Sequence, residues 1–384
     1  MKIAISIIGR FHLFNLANQL LKYNYLSQLI TSYPKFLVRR FGIPKSKVRS
    51  VVIKEILQRS WEKLPNILRD GYDAQYFFHK IFDKGSARRL DFCEILVAGQ
   101  SSFPRTMRKA KNFGALVIVE NGSAHTLYQQ RVMREEYDKF GIKPGLFQIS
   151  SQRIVENELK AYEEMDFISV PSIFAKRTFL DYNIPERKLI HVPYGIDLLE
   201  FHQVKRVDNV FRVIFVGAMT LQKGVHYLLQ AFSELNLKNV ELMLVGALSE
   251  EISPFFKKYN GNFNYISHLP QSELYRYYSQ ASVFVLNSLQ DGFGMVMIQA
   301  MACGLPVICT TNTGGEDVVR DGTDGFIIPI RDVEKLKEKL LYLYENQEMC
   351  ERMGQSAKER VAYGFTWDDY GDRIIKEYKR ILAV

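Results

Sequence analysis

Short β-branched runs alternate with longer stretches of helical period almost from one end of the chain to the other. Lys2–Ile8, Glu94–Ala98, Ala115–Glu120, Phe167–Val170 and Leu189–Val192 form one series of predicted strands. Phe211–Val216, Glu241–Val245, Asn264–Ile266, Val283–Leu286 and Pro306–Thr310 form a second. Strands separated by helices are the mark of βαβ units, so the pattern predicts two parallel sheets, each covered by helices on both faces. The polar stretch 204–209 follows a turn at Tyr194-Gly195-Ile196-Asp197 and is expected to link the two series, dividing the chain into 1–203 and 204–365. Beyond it, Thr366 caps a helix to about Leu382 that repeats Trp367, Tyr370, Ile374, Ile375, Tyr378 and Ile381 at helical spacing. That segment, 366–384, is expected to pack back on the first domain.

Length and composition narrow the field without choosing within it. With 384 residues, 47% apolar and 24% charged, the chain reads as ordinary globular protein of about two domains. No apolar run reaches the length of a spanning helix, and the opening run is cut off by Arg10, too short for a leader core. Cys93, Cys303, Cys309 and Cys350 are scattered without a CxxC pair, which argues against a disulfide framework and a zinc site. A cytoplasmic protein is the expectation.

Chemistry concentrates in three strand-to-helix loops. The stretch Asn287–Gly294 joins a strand to the helix Met295–Cys303. Gly292 and Gly294 let a ligand approach the backbone, and the amides of Phe293, Gly294, Met295 and Val296 at the helix start form an anion site. A similar loop stands at Thr313–Val319. A third, Gly217–Gly224, carries Lys223, a point charge suited to phosphate. No Walker loop and no Gly-x-Gly-x-x-Gly fingerprint is present, which weakens ATP hydrolysis and hydride transfer. Two doubly wound sheets place ligands outside their strands' carboxyl ends, so the site is expected between the halves. His125 follows a strand at that edge, with a bonded turn histidine as the alternative.

The run Asp291-Gly-Phe-Gly-Met-Val-Met-Ile-Gln-Ala-Met-Ala-Cys-Gly-Leu-Pro-Val-Ile308 resembles the signature of the retaining glycosyltransferases of family 4, which have the GT-B fold: two Rossmann-like α/β domains facing each other across a cleft. Phe215-Val-Gly before it and Asp321–Pro329 after it carry the same resemblance, more loosely continued by Ile7–His12 and Glu120–His125. The resemblance implies a UDP- or GDP-sugar bound mainly by the second domain and a glycan or lipid-linked acceptor held by the first. It implies that Lys223 and the amides of Phe293, Gly294, Met295 and Val296 hold the diphosphate, with Gly9, Gly217 and Gly292 close by. By the same resemblance Asp291 meets the sugar hydroxyls, Gln299 the ribose, and His125 the sugar. It implies retention through a front-face route in which the donor phosphate takes the acceptor proton. No cofactor is implied and, with no Asp-x-Asp in the chain, no metal. The chain departs from the family at Gln299, where a glutamate is usual, and at Ala218, where the lysine's arginine partner is usual; Arg10 and Gln222 are the local candidates to replace it.

The net charge of +9 is localised. Residues 31–111 hold 18 Lys+Arg against 7 Asp+Glu, while the rest of the chain holds 33 against 35. Within residues 35–54 the basic positions interleave with Phe36, Leu37, Val38, Phe41 and Val48, a mixture suited to an anionic membrane surface. The expectation is therefore a peripheral protein at the inner face of the cell membrane, active in cell-surface polysaccharide or glycolipid synthesis. Three rivals stay open: a sugar-nucleotide epimerase of the same fold, a catalytically weak sugar-nucleotide binder, and a nucleic-acid binder, which explains the basic segment but not the three loops.

Overall fold

A computed structural model describes residues 1–65, 74–99, 104–145 and 149–383. Parts of the basic segment 31–111, and Val384 at the end of the predicted final helix, lie outside the described residues. Among the described residues the first half holds seven parallel strands: β1 (Ile3–Ile7), β2 (Leu26–Thr31), β3 (Val48–Ser50), β4 (Ile95–Gly99), β5 (Leu116–Glu120), β6 (Phe167–Val170) and β7 (Leu189–His191). Their order across the sheet is β3-β2-β1-β4-β5-β6-β7. The second half holds six: β8 (Phe211–Val216), β9 (Val240–Val245), β10 (Asn264–Ile266), β11 (Val283–Leu286), β12 (Val307–Thr310) and β13 (Gly325–Ile328), in the order β10-β9-β8-β11-β12-β13. Strands so apolar on both faces are buried between helical layers, as in β1, buried at all five positions. This is the GT-B arrangement. The sequence pattern missed β2, β3 and β13. In β2, Ser27 and Gln28 break the apolar run; β13 begins at Gly325, inside a stretch that reads as a turn.

The final helix, Trp367–Leu382, opens with a capping box between Thr366 and Asp369 and packs on the helix Leu13–Lys22 of the first sheet's layer. Gln19 Nε2 donates to Asp368 at 3.0 Å, and a Cβ at Gly371 would lie 2.5 Å from Gln19 Oε1. A tail that leaves the second sheet and buries its aromatic face on the first ties the halves together.

A second tie is electrostatic. The helix Thr126–Phe140 follows β5, yet its Val132, Met133 and Tyr137 share a core with the second sheet. From that helix Glu136, fully buried, accepts from His226 at 2.8 Å, Tyr227 at 2.7 Å and Arg331 at 2.7 Å. Burial raises its carboxyl, but these donors outweigh burial and hold it below the usual range; burial holds His226 below its own. The next residue, Tyr137, donates to Glu251, whose other oxygen accepts from the Leu221 amide at 2.8 Å. The loop that carries Lys223 is therefore fixed from across the domain boundary.

Removing a buried charge while leaving its partners in place costs about 3–5 kcal/mol, so Glu136→Gln should lower the thermal midpoint at pH 7.5 by several degrees. The depressed carboxyl gives stability present above the ordinary carboxylate value of 4.5 and lost as pH falls from there through the folded value, so the deficit of the variant should hold down to about pH 5 and shrink only below 4.5. Equal melting curves at pH 7.5 would refute the clamp.

Candidate functional site

The carboxyl ends of both sheets meet across a cleft of about 420 Å³. Ile7, Gly99 and Glu120, closing β1, β4 and β5, face Val216 and Leu286, closing β8 and β11. The halves touch through backbone: a Cβ on Gly292 would lie 1.9 Å from the Gly122 carbonyl, and Ser172 Oγ donates to the Gly292 carbonyl at 2.5 Å. Only glycine fits there.

Of the residues expected at the site, Lys223, Asp291, Gly217, Phe293, Gly294, Met295 and Val296 line this cleft together. Gly294 caps the helix Met295–Ala302 in the left-handed region at φ 81°, where a Cβ would also meet Leu286 at 2.5 Å. Asp291 pairs with Lys223 through Oδ2 and accepts from the Phe293 amide at 3.3 Å through Oδ1. An anion entering the cleft must therefore compete with Asp291 for two of its expected donors. Gly224, at φ 66°, lies so close to the Asn287 carbonyl that a Cβ would sit 2.1 Å away, which sets the Lys223 loop against the loop of Asp291.

Other expected residues lie elsewhere. His125 is not brought to the cleft: it is 2% exposed, caps the helix Thr126–Phe140 by accepting from the Leu127 amide at 3.2 Å, and stacks on Tyr182 with ring centroids 4.4 Å apart. Desolvation takes its imidazole down to about 4. Gln299 is buried beside the cleft, accepting from the Tyr278 hydroxyl at 3.3 Å. Gly9 is stapled to β2 through Ser32 and Thr31, at 2.9 and 2.8 Å, and Gly292 forms the seam. Neither candidate for the missing arginine reaches the cleft lining. Arg10 lies over the Phe41 ring at 4.4 Å, and Gln222 donates to the Gln290 carbonyl at 3.2 Å. The Thr313–Val319 loop is a seam as well: Gly314 donates to the Phe293 carbonyl at 2.9 Å, and Asp317 accepts from the Ile173 amide at 2.9 Å.

The structure adds residues that the sequence reading passed over. His12, Glu120 and Tyr194 form the first-domain wall opposite Lys223. Both His12 and Glu120 stand just beyond or at a strand's carboxyl end, the signal that was applied to His125 alone. A larger cavity of about 540 Å³ lies beneath the linker, around Lys205, Arg206 and Cys350. It opens at the amino ends of β8, β11 and β12, away from the edge where open α/β sheets bind ligands.

Residues 199–360 match the family described as Glycosyl transferases group 1, as the motifs implied. The chain is 33% identical over 175 residues to the capsular polysaccharide biosynthesis glycosyltransferase CapM of Staphylococcus aureus, covering 44% of this chain and 46% of that protein. An uncharacterised glycosyltransferase of Methanocaldococcus jannaschii is 32% identical over 169 residues, 44% of this chain and 48% of that protein. These alignments span about half the length of either relative. Over the whole chain the fold is that of sucrose-phosphate synthase from Thermosynechococcus elongatus, with a TM-score of 0.74 at 16% identity, covering 100% of this chain and 99% of that one. The Anabaena protein HepE, solved with UDP and glucose, has a TM-score of 0.67 at 14% identity, covering 99% and 100%.

A buried histidine held neutral makes a pH prediction. Above about pH 6.5 His125 is neutral folded and unfolded; between there and about 4 only the unfolded chain takes the proton, at a cost to stability of up to about 1.4 kcal/mol per unit. His125→Asn, which retains a capping side chain, should flatten the fall in thermal midpoint over that window. A fall as steep as in the parent would contradict it.

Proposed function

We propose that the protein is a glycosyltransferase that moves a sugar from a UDP- or GDP-sugar to a hydroxyl of a glycan or lipid-linked acceptor, with retention, in cell-surface polysaccharide or glycolipid synthesis. The observation that carries this reading is the convergence of Lys223, Asp291 and the start of the helix Met295–Ala302 on one interdomain cleft. Similarity to CapM and the UDP and glucose bound by HepE support the substrate classes. As the bond from the anomeric carbon to the diphosphate breaks, negative charge grows on the leaving group. Lys223 and the helix-start amides oppose it at a fixed position, which lowers the barrier. Asp291, displaced from Lys223 by the diphosphate, becomes free to accept from the sugar hydroxyls. Gln299 is assigned to the ribose through its remaining amide hydrogens. The assignment uses no metal and no cofactor.

The acceptor side is assigned to an anionic membrane at the inner face of the cell. Among the described residues no helix is long and apolar enough to cross a membrane. In the stretch leading into the edge strand β3, Lys35, Arg39, Arg40 and Lys45 are exposed, as is Phe36 at 61%. The following helix, Ile53–Glu62, turns Ile53, Ile56 and Leu57 outward, an apolar stripe at helical spacing. Lys54, by contrast, is buried against Glu55 at 3.0 Å and leaves the patch. Arg10 stacked on Phe41 joins this face to the loop at the cleft mouth.

Two experiments test these assignments. A screen of UDP- and GDP-sugars for nucleotide release should find one donor. Lys223→Ala should cut its turnover by roughly 10- to 150-fold, the equivalent of a charge-assisted contact of about 1.5–3 kcal/mol, and EDTA should change nothing. Full activity in Lys223→Ala would sink the assignment. In sedimentation with vesicles, the parent should bind phosphatidylglycerol mixtures over pure phosphatidylcholine. Glutamine at Arg39, Arg40 and Lys45 together should abolish the preference; equal binding to both vesicles would remove the membrane from the account.

A further inference from the structure

The cavity of about 540 Å³ beneath the linker holds a cation that is poorly compensated. Arg206 lines it half-buried, its side chain keeping 32% of its surface. Its Nη2 donates to the Val210 carbonyl, but among the described residues the buried Nε has no hydrogen-bond partner. Asp208 comes within 3.8 Å of Nε and is committed elsewhere: one oxygen accepts from Arg212 Nη2 at 3.0 Å, the other from the Val210 amide at 3.2 Å. Desolvation outweighs that distant pair and holds Arg206 below its ordinary value. A cation so placed gains from an added anion. Lys205 lines the same cavity and is exposed; among the described lining residues Glu351 is the single carboxylate, and it too is exposed.

The rest of the lining narrows the class of ligand. Gln203, Asn209 and Gln347 are exposed side-chain amides, which donate and accept at once and so suit hydroxyls. Among the described lining residues Phe211 is the single aromatic; it is 4% exposed and meets Tyr344 edge to face at 5.5 Å, so a nucleobase finds no stacking face. Burial pushes the Cys303 and Cys350 thiols up to about 12, which keeps them protonated and removes a thiolate metal site. The linker side of the cavity is already fixed to the second domain. The amides of Val204 and Val207 donate to Ser279 Oγ at 3.0 Å and Gln280 Oε1 at 2.9 Å, and Gln280 Nε2 donates to the Lys205 carbonyl at 3.1 Å. Both cations are therefore carried on a backbone that need not reorganise to bind.

We propose that this cavity is a second ligand site, for a phosphorylated sugar that carries no base. Arg206 and Lys205 take the phosphate, and Gln203, Asn209 and Gln347 take the hydroxyls. The site lies at the amino ends of β8, β11 and β12, the opposite edge of the sheet from Lys223 and Asp291, so it is separate from the transfer cleft and does not rest on the transfer reading. An occupant that bridges Arg206 to Gln347, at the start of the helix Gln347–Ala362, also braces the segment that joins the two domains.

Calorimetric titration of the full chain with glucose 6-phosphate, glucose 1-phosphate and fructose 6-phosphate tests this, with inorganic phosphate and glucose as controls. At least one sugar phosphate should bind, about tenfold or more tighter than inorganic phosphate, and glucose should give no heat. Its binding should slow hydrogen exchange at 204–209 and 347–350 and leave 293–296 unchanged. Arg206→Gln should weaken it by roughly 10- to 150-fold, the loss of a charge-assisted contact, with the melting curve of the unliganded variant as the check on its folding. Lys205→Gln, an exposed change that leaves the fold intact, should weaken it by roughly threefold. No binding by any of the three sugar phosphates overturns the inference. So does inorganic phosphate binding as tightly as they do, which is an anion contact without a sugar site. Protection at 293–296 in place of the linker, or affinity unchanged in both variants, overturns it as well.

Discussion

The cleft exists because two backbones meet where no side chain fits. Gly292, on the loop after β11, presses on the carbonyl of Gly122, on the loop after β5, and Ser172 closes the contact with a hydroxyl. This point holds the carboxyl edges of two parallel sheets face to face, which brings the strand ends and helix starts of one domain within reach of those of the other. The buried Glu136 and the returning helix Trp367–Leu382 keep that apposition from depending on one contact. The Glu251 bridge carries it into the loop of Lys223, so the cation sits at a position set by the closed pair of domains.

Electrostatics divide the cleft along the same line. The second domain offers Lys223 and the amides leading into a helix start, with Asp291 engaging Lys223 through one oxygen and the Phe293 amide through the other. The first offers Glu120 and His12, a carboxylate with one oxygen unpartnered among the described residues and an imidazole aligned by the other. A wall that favours anions faces a wall built around a buried carboxylate and its imidazole and hydroxyl partners. That asymmetry is harder to reconcile with a nucleic-acid surface, which needs a continuous cationic track.

The sequence was legible where local chemistry and tertiary role coincide. The loop Asp291–Val296 announced itself because glycines, a helix start and an apolar strand stand together within a few residues, and the structure places most of that loop in the cleft. Legibility failed where the role is set by a distant partner. His125 and His12 both follow strands at the same edge; only the packing of Tyr162, Phe179 and Tyr182 around the first, and the reach of Glu120 to the second, separate a helix cap from a cleft residue. Likewise Gly314 and Gly315 look like a second anion loop, but the first is spent against Phe293 and the second against Cys309, where a Cβ would lie 2.5 Å from the sulfur. The strand β13 was hidden by Gly325, which the fold requires because the Val307 carbonyl passes 1.9 Å from where its Cβ would be. Such close approaches have no local signature.

The central claim is that a nucleotide diphosphate binds between the two sheet edges. Hydrogen exchange of the full chain with and without UDP tests it most directly. The account predicts slowed exchange at the amides of 293–296 and 220–224 together with the first-domain loop 9–13, from both walls at once. Protection confined to the linker cavity around Lys205 and Arg206, or to one domain alone, would contradict it.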